Sequence, residues 1–311
     1  MDIKDREDGS GDIRDRDIRD GNIRDGNIRD GDIRDGNIRD GNIRDGDTRD
    51  GDTRDRDIRN GDLRDIDLAG IPQMMQNPRL SIQEMIQKQD LKGLIEKAAE
   101  LHGHLCSFVT MGVITGCLAV RKLGEESTDG MEKITCIIEC NNCFSDGVQI
   151  TTGCTFGNNA LIYRDLGKNA FTLIKRGGKA LRICVRPEVR EIIDTLQEKI
   201  YPGSQELFDK VVTRRSGTGK EGELLKKLFL RSSYDLLTIP QGKLLDVHEV
   251  QVDSEKYAPI FRSCTCALCG EKIMETRARV QNEKIVCIPC SQDSFFQLDG
   301  AGISQKRGGR S

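Results

Sequence analysis

Past residue 78 the chain alternates between apolar stripes at helical spacing and short unbroken apolar runs. Asp90 precedes Leu91, Leu94, Ile95, Ala98 and Leu101, which fall on one face at 3.6 residues per turn, so the pattern predicts a capped helix. A second apolar helical stretch runs from Phe108 to Leu123, with Gly124 placed to close it. Ile134 to Glu139 reads as a buried strand and is followed by a helix near Ser145 to Thr152. Ala160 to Tyr163 and Phe171 to Val185 read as β-rich, Glu188 to Lys199 as helix, and Leu244 to Val252 as strand. The polar break from Arg214 to Gly222 contains Gly217-Thr218-Gly219-Lys220. It lacks the rest of a phosphate-loop spacing and reads as a linker.

Residues 11–70 are twelve five-residue units, mostly Gly-Asn/Asp-Ile-Arg-Asp, a period that fits neither helix nor strand. One apolar residue in five, with abundant glycine and charge, favours disorder. Alternatively each unit is one side of a β-solenoid with Ile23, Ile28 and their equivalents stacked inward. That version resembles the pentapeptide-repeat family, although glycine replaces its usual small residue and Thr48 and Thr53 occupy two centres. Neither version contains a catalytic constellation.

The 311 residues suit about two domains. A net charge of −3 and the absence of Trp argue against a strong pull toward nucleic acid or an anionic membrane. No apolar run approaches membrane-spanning length, and Met1-Asp2-Ile3-Lys4-Asp5 opens no signal segment. Twelve cysteines in such a chain point to bound or reactive thiols rather than a disulfide framework, and to a cytoplasmic location.

Cys266-Ala-Leu-Cys269, with Gly270 next, is separated by seventeen residues from Cys287-Ile-Pro-Cys290, counting from Cys269. Paired Cys-x-x-Cys turns at that spacing supply four thiolates to a closed structural Zn²⁺ site, which builds a fold and does no chemistry. Chemistry has to come from upstream. His102-Gly103-His104-Leu105-Cys106 offers two imidazoles and a thiol at a helix-to-helix junction. His102 lies on the apolar stripe and can be read as a core residue; His104 has no such explanation. Cys140-Asn-Asn-Cys143, with Asp146 beyond it, follows the buried strand, and Thr152-Gly153-Cys154-Thr155 lies one short helix later. Cys117, Cys136 and Cys184 sit in apolar runs and read as inert core thiols, and Cys264 as a spare beside the zinc module.

These motifs in this order resemble the FmdE family, a component of formylmethanofuran dehydrogenase, over about Leu91 to Phe295. The carriers are His102-Gly-His-Leu-Cys106, Cys143 with Asp146, Thr152-Gly-Cys-Thr-Phe-Gly157, Leu237 to Pro240, the Leu244 to Val252 strand and Met274-Glu-Thr-Arg-Ala-Arg279. The resemblance implies an α+β core of mixed helix and sheet followed by a small treble-clef-like zinc finger, assembled as a homodimer. It also implies a core metal site from His104, Cys106, Cys143 and Cys154, with His104, Cys106 and Cys143 carrying any chemistry and His102 and Asp146 as neighbours. The second metal is zinc, iron or nickel, and the other dehydrogenase subunits are the implied partners. Departures are Ser107 where the family commonly has proline, and Asn158-Asn159-Ala160 after Gly157, where an anion contact is thereby in doubt.

The organisation expected is a pentad segment at 1–70, a core at 80–213, a linker at 214–222 and a core completion at 223–262. A finger at 263–298 and a disordered tail at 299–311 follow. The leading function is a metal-binding accessory subunit or homologue of the dehydrogenase, an oxidoreductase component not expected to catalyse that reaction alone. A thiol–disulfide protein using Cys140 and Cys143, and a zinc-finger module touching protein or nucleic acid through Arg277, Arg279 and Lys284, are the rivals.

Overall fold

The structure, a computed structural model, describes residues 78–124, 133–252 and 257–309, all within the unit Leu68–Ser311. The pentad tract and both readings of it lie outside the described residues. Among the described residues three helices come first: α1 (Leu80–Lys88), α2 (Leu91–His102) and α3 (Ser107–Lys122). Asp90 caps α2 as expected, its carboxylate accepting from the Gly93 N–H at 3.0 Å. Strand β1 (Ile134–Ile138) is buried along its whole length and leads to α4 (Cys143–Thr152), which Asn142 caps through the Phe144 N–H. The helix therefore begins two residues before the expected Ser145, which makes Cys143 its first residue.

Strands β2 (Leu161–Tyr163), β3 (Ala170–Lys175), β4 (Lys179–Val185) and β5 (Leu245–Gln251) complete a sheet of order β2-β1-β3-β4-β5. Only β1 and β2 are parallel. Period-2 alternation gives the sheet two faces. Cys136, Ile138, Phe171, Leu173, Leu181 and Ile183 join the main core with α2, α3 and α4. The opposite face holds a smaller cluster of Ile137, Ile174 and Ala180, and a two-pronged ion pair from Arg182 to Glu139 at 2.7 Å on each prong.

Helices α5 (Val189–Ile200), α6 (Ser204–Phe208), α7 (Gly219–Leu236) and α8 (Gln241–Leu244) intervene between β4 and β5. Here the expected linker at 214–222 is corrected. Thr218 and Glu221 form a reciprocal capping box, so Gly219 to Gly222 is the first turn of an 18-residue helix. The polar residues that suggested a break are the start signal of a helix whose Leu225, Leu228 and Leu236 face inward.

Beyond the sheet, β6 (Ser263–Thr265) pairs with β7 (Lys272–Met274), and β8 (Arg279–Gln281) with β9 (Lys284–Val286). A one-turn helix, α9 (Ile288–Ser291), follows, then β10 (Ser294–Asp299) and β11 (Gly302–Arg307), which form a hairpin. The expected disordered tail is thus a paired strand through Arg307. Gly302, which opens β11 after the turn, takes φ +97°, a conformation that favours glycine, and a Cβ there would lie 2.6 Å from the Asp165 carboxylate. Among the described residues no helix is long and apolar enough to cross a membrane.

Helices α3 and α4 approach each other closely through glycines. A Cβ on Gly112 would lie 2.1 Å from the Phe144 carbonyl, and one on Gly147 2.3 Å from the Val109 carbonyl. One turn on, a Cβ on Gly116 would lie 1.9 Å from the Thr151 hydroxyl, so the two helices run parallel, with backbone against backbone at Gly112 and Gly147. Gly147→Ala is expected to cost about 1–3 kcal/mol through overpacking. It should show as a lower denaturation midpoint, and an unchanged midpoint would mean that the helices have room to separate.

Candidate metal centres

The parallel contact brings the N-terminal ends of α3 and α4 side by side. Cys106 is the N-cap of α3 and Cys143 opens α4, so each sulfur sits where unpaired helix amides point. The N–H groups of Phe108 and Val109 favour the charged form of the Cys106 sulfur without closing a cap hydrogen bond to it. At the end of α2, Gly103 takes φ +85° and turns the chain, which folds His104 back against His102 with ring centroids 4.5 Å apart. As a result one donor atom each from His102, His104, Cys106 and Cys143 lies within 4.8 Å of every other.

The electrostatics suit a cation. The Cys106 thiol donates its proton to the Cys143 sulfur, and that bond, helped by burial, pushes Cys106 far up. The same bond is the main reason Cys143 is held down to about 5; burial opposes it and the two imidazoles assist. The pair therefore shares one proton and carries one negative charge. For His102, burial alone would lower the pKa, but the hydrogen bond to Asp146 and the nearby Cys143 sulfur outweigh it and leave it raised. His102 Nδ1 lies 2.7 Å from Asp146 Oδ2, and Asp146 Oδ1 accepts from Gln149 at 3.0 Å. That carboxylate–imidazole pair fixes which nitrogen is left for a ligand. Nε2, the free one, is buried without a well-formed hydrogen bond among the described residues. Mixed N/S donors, an orphaned imidazole nitrogen and a carboxylate behind it fit a bound transition metal.

Two of the sequence expectations change. His102, readable as a core residue, belongs to the donor group. Cys154 does not: it follows Gly153 at the far end of α4, about 15 Å from Cys143 at 1.5 Å per residue. Its thiol is buried against the Ile134 carbonyl and pushed up to about 12 by that burial. Cys140 points elsewhere too, toward Asn142 and Ser145. Asn158 is spent on its own loop, accepting from the Thr155 and Ala160 N–H groups and donating to the Gly153 carbonyl.

The second group is Cys266, Cys269, Cys287 and Cys290, again with all four sulfurs within 4.8 Å. Cys266 and Cys269 occupy the turn between β6 and β7, and Cys287 caps α9, accepting from the Cys290 N–H. The N–H of Cys269, joined by that of Cys287, holds the Cys266 thiol down to about 6. Cys264 lies outside the group, its sulfur toward the Ile273 carbonyl.

Comparison with known proteins agrees with this division. A family described as FmdE, molybdenum formylmethanofuran dehydrogenase operon, matches residues 101–246. Those residues form an FmdE-family domain. Residues 259–294 match the prokaryotic dksA/traR C4-type zinc finger, so the FmdE domain is followed by a zinc-finger module. A relative in Archaeoglobus fulgidus, named as a probable S-adenosyl-L-methionine-binding protein, is 39% identical over 218 residues. The match covers 68% of this chain but only 56% of that relative. A solved structure of a tungsten formylmethanofuran dehydrogenase FmdE-like protein from Syntrophus aciditrophicus is 22% identical with a TM-score of 0.40. It covers 65% of this chain and 91% of that one. The chain is a metal-binding FmdE-like protein with an α+β core and a C4 finger.

Asp146→Asn is expected to weaken metal binding at the core about 10- to 100-fold, because the imidazole loses its anchor, and to leave the finger untouched. Equilibrium dialysis of the two sites separately checks this. In the metal-free protein the thiolate is the species that alkylates, so a pKa held down to about 5 moves the rise in Cys143 labelling to low pH. Iodoacetamide rates at Cys143 should therefore level off by neutral pH. In Cys106→Ala the rise should move to higher pH, because the proton donor is gone.

Proposed function

We propose that this FmdE-family chain binds a transition metal in its core and works as an accessory subunit or homologue associated with formylmethanofuran dehydrogenase. The observation that carries the metal reading is the convergence of His102, His104, Cys106 and Cys143 at two helix N-termini. Cys106 and Cys143 would hold the metal through sulfur, His104 and the free nitrogen of His102 through imidazole. Zinc, iron and nickel all accept such a set. When bound, the metal supplies Lewis acidity or electron exchange to a group that reaches it. The chain's own contributions are separate. Asp146 aims the His102 ring, the Phe108 and Val109 amides stabilise charge on Cys106, and the shared thiol proton is released as a cation enters. Since that proton competes with the metal, core affinity should rise with pH.

Association with the dehydrogenase's other components and a homodimeric state are supported by family membership alone. The A. fulgidus relative's name suggests S-adenosylmethionine as a ligand, but this chain spans little more than half of that protein. A redox reading survives with a changed pair: Cys106 and Cys143 are the neighbours, not Cys140 and Cys143. A metal-bound pair labels only after chelation, whereas a redox pair labels directly on reduction.

The intact protein is expected to hold two metal equivalents by elemental analysis. Cys106→Ser with Cys143→Ser should remove one, and Cys287→Ser with Cys290→Ser the other. Retention of both equivalents in the first double variant would overturn the core site.

A further inference from the structure

A cavity of about 400 Å³ is lined by three of the core donors, His104, Cys106 and Cys143. Its sides are apolar: Phe108 and the Phe208–Phe229 pair, whose ring centroids are 6.2 Å apart. Two polar groups lining it have unmet bonding capacity. Ser107 is 4% exposed, yet its hydroxyl has no hydrogen-bond partner among the described residues. Asp194 accepts from Arg190 through Oδ2 at 3.0 Å, while its buried Oδ1 has none. Buried polar atoms left unpaired are costly and mark places where something else completes the bonding.

The charges around the cavity nearly cancel. Arg190 is offset by Asp194, and a divalent metal is offset by two thiolates beside neutral imidazoles. Arg215, exposed at the cavity, remains, with no acidic partner among the described residues. Its backbone is left-handed at φ +53°, a conformation that costs a non-glycine residue free energy. The next residue holds it there, because both the N–H and the hydroxyl of Ser216 bond the Lys210 carbonyl. One uncompensated positive charge calls for one negative charge on the ligand. A phosphate monoester carries nearly two, a carboxylate one.

We propose that this cavity is the substrate pocket of the core metal centre and takes an amphipathic organic carboxylate. The carboxylate lies on Arg215, an apolar body packs on Phe208 and Phe229, and a polar end reaches Ser107, Asp194 and the metal. The proposal rests on the metal reading above.

The test uses the full chain with zinc in the finger and Co²⁺ in the core, where visible sulfur-to-cobalt bands report the site. The probe is 4-(4-hydroxyphenyl)butyrate, whose phenol supplies the polar end, and its neutral twin 4-(4-hydroxyphenyl)butyramide, with calorimetry giving affinities. The acid is expected to perturb the cobalt bands and to bind about tenfold tighter than the amide. Arg215→Ala should abolish that preference while leaving the bands intact. Intact core bands with equal binding of acid and amide, or with no binding of either, would overturn the pocket proposal alone. Bands indifferent to Cys106→Ser would overturn the metal reading and take the pocket with it.

Discussion

Backbone contact between α3 and α4 sets the geometry of the core site. Gly112, Gly116 and Gly147 remove the side chains that would hold the helices at ordinary distance, and the carbonyls of Val109 and Phe144 fill the space. Because the helices run parallel, their positive N-terminal ends lie together, each worth about half an elementary charge. Two such ends would repel each other in an apolar core. A thiolate at Cys143, whose pKa is held down to about 5, would offset that repulsion.

The core elements were legible because their burial is one-sided and regular. The stripe through Leu94, Ile95 and Ala98 and the unbroken run from Ile134 to Ile138 admit few other readings, although Leu101 at the stripe's end is exposed, and the paired Cys-x-x-Cys turns name their own geometry. What sequence hid was direction. His102 sits on the stripe, and only the left-handed Gly103 that closes α2 shows that its ring leaves the core for the donor group. Cys154 matched a motif by spacing along the chain, but an intervening helix converts eleven residues into a separation no ligand set can bridge. The start of α7 was disguised because capping residues are also turn residues. Thr218 and Glu221 become a helix signal only when their reciprocal bonds are seen. Reading Thr-x-x-Glu ahead of Leu224 and Leu225 as a capping box would have found it.

The C-terminal module is tied to the FmdE domain through its last hairpin. Asn141 donates to the Asp299 carbonyl at 2.7 Å, and the Ile303 N–H donates to Asp165 at 2.8 Å. Asp165 also accepts from Tyr163, and these two bonds keep its carboxylate below the ordinary range. Asn141 stands next to Asn142, the cap of α4, and thus two residues from the Cys143 sulfur. Leu298 of the same hairpin shares a second cavity, of about 440 Å³, with His102, Cys143 and Asp146. The hairpin that follows the finger therefore lies at a second cavity lined by residues of the same core site.

The two donor sets divide the work by charge. Four thiolates around one divalent ion leave a net charge of −2, which a module on the surface can keep solvated and which would repel an anionic ligand. Two thiolates and two imidazoles around the same ion leave no net charge. A neutral centre can face an apolar cavity without the desolvation penalty of a buried charge, and it leaves Arg215 to decide which ligands enter. The all-sulfur set suits a closed structural site and the mixed set an open one, a distinction already present in the choice of histidine at 102 and 104.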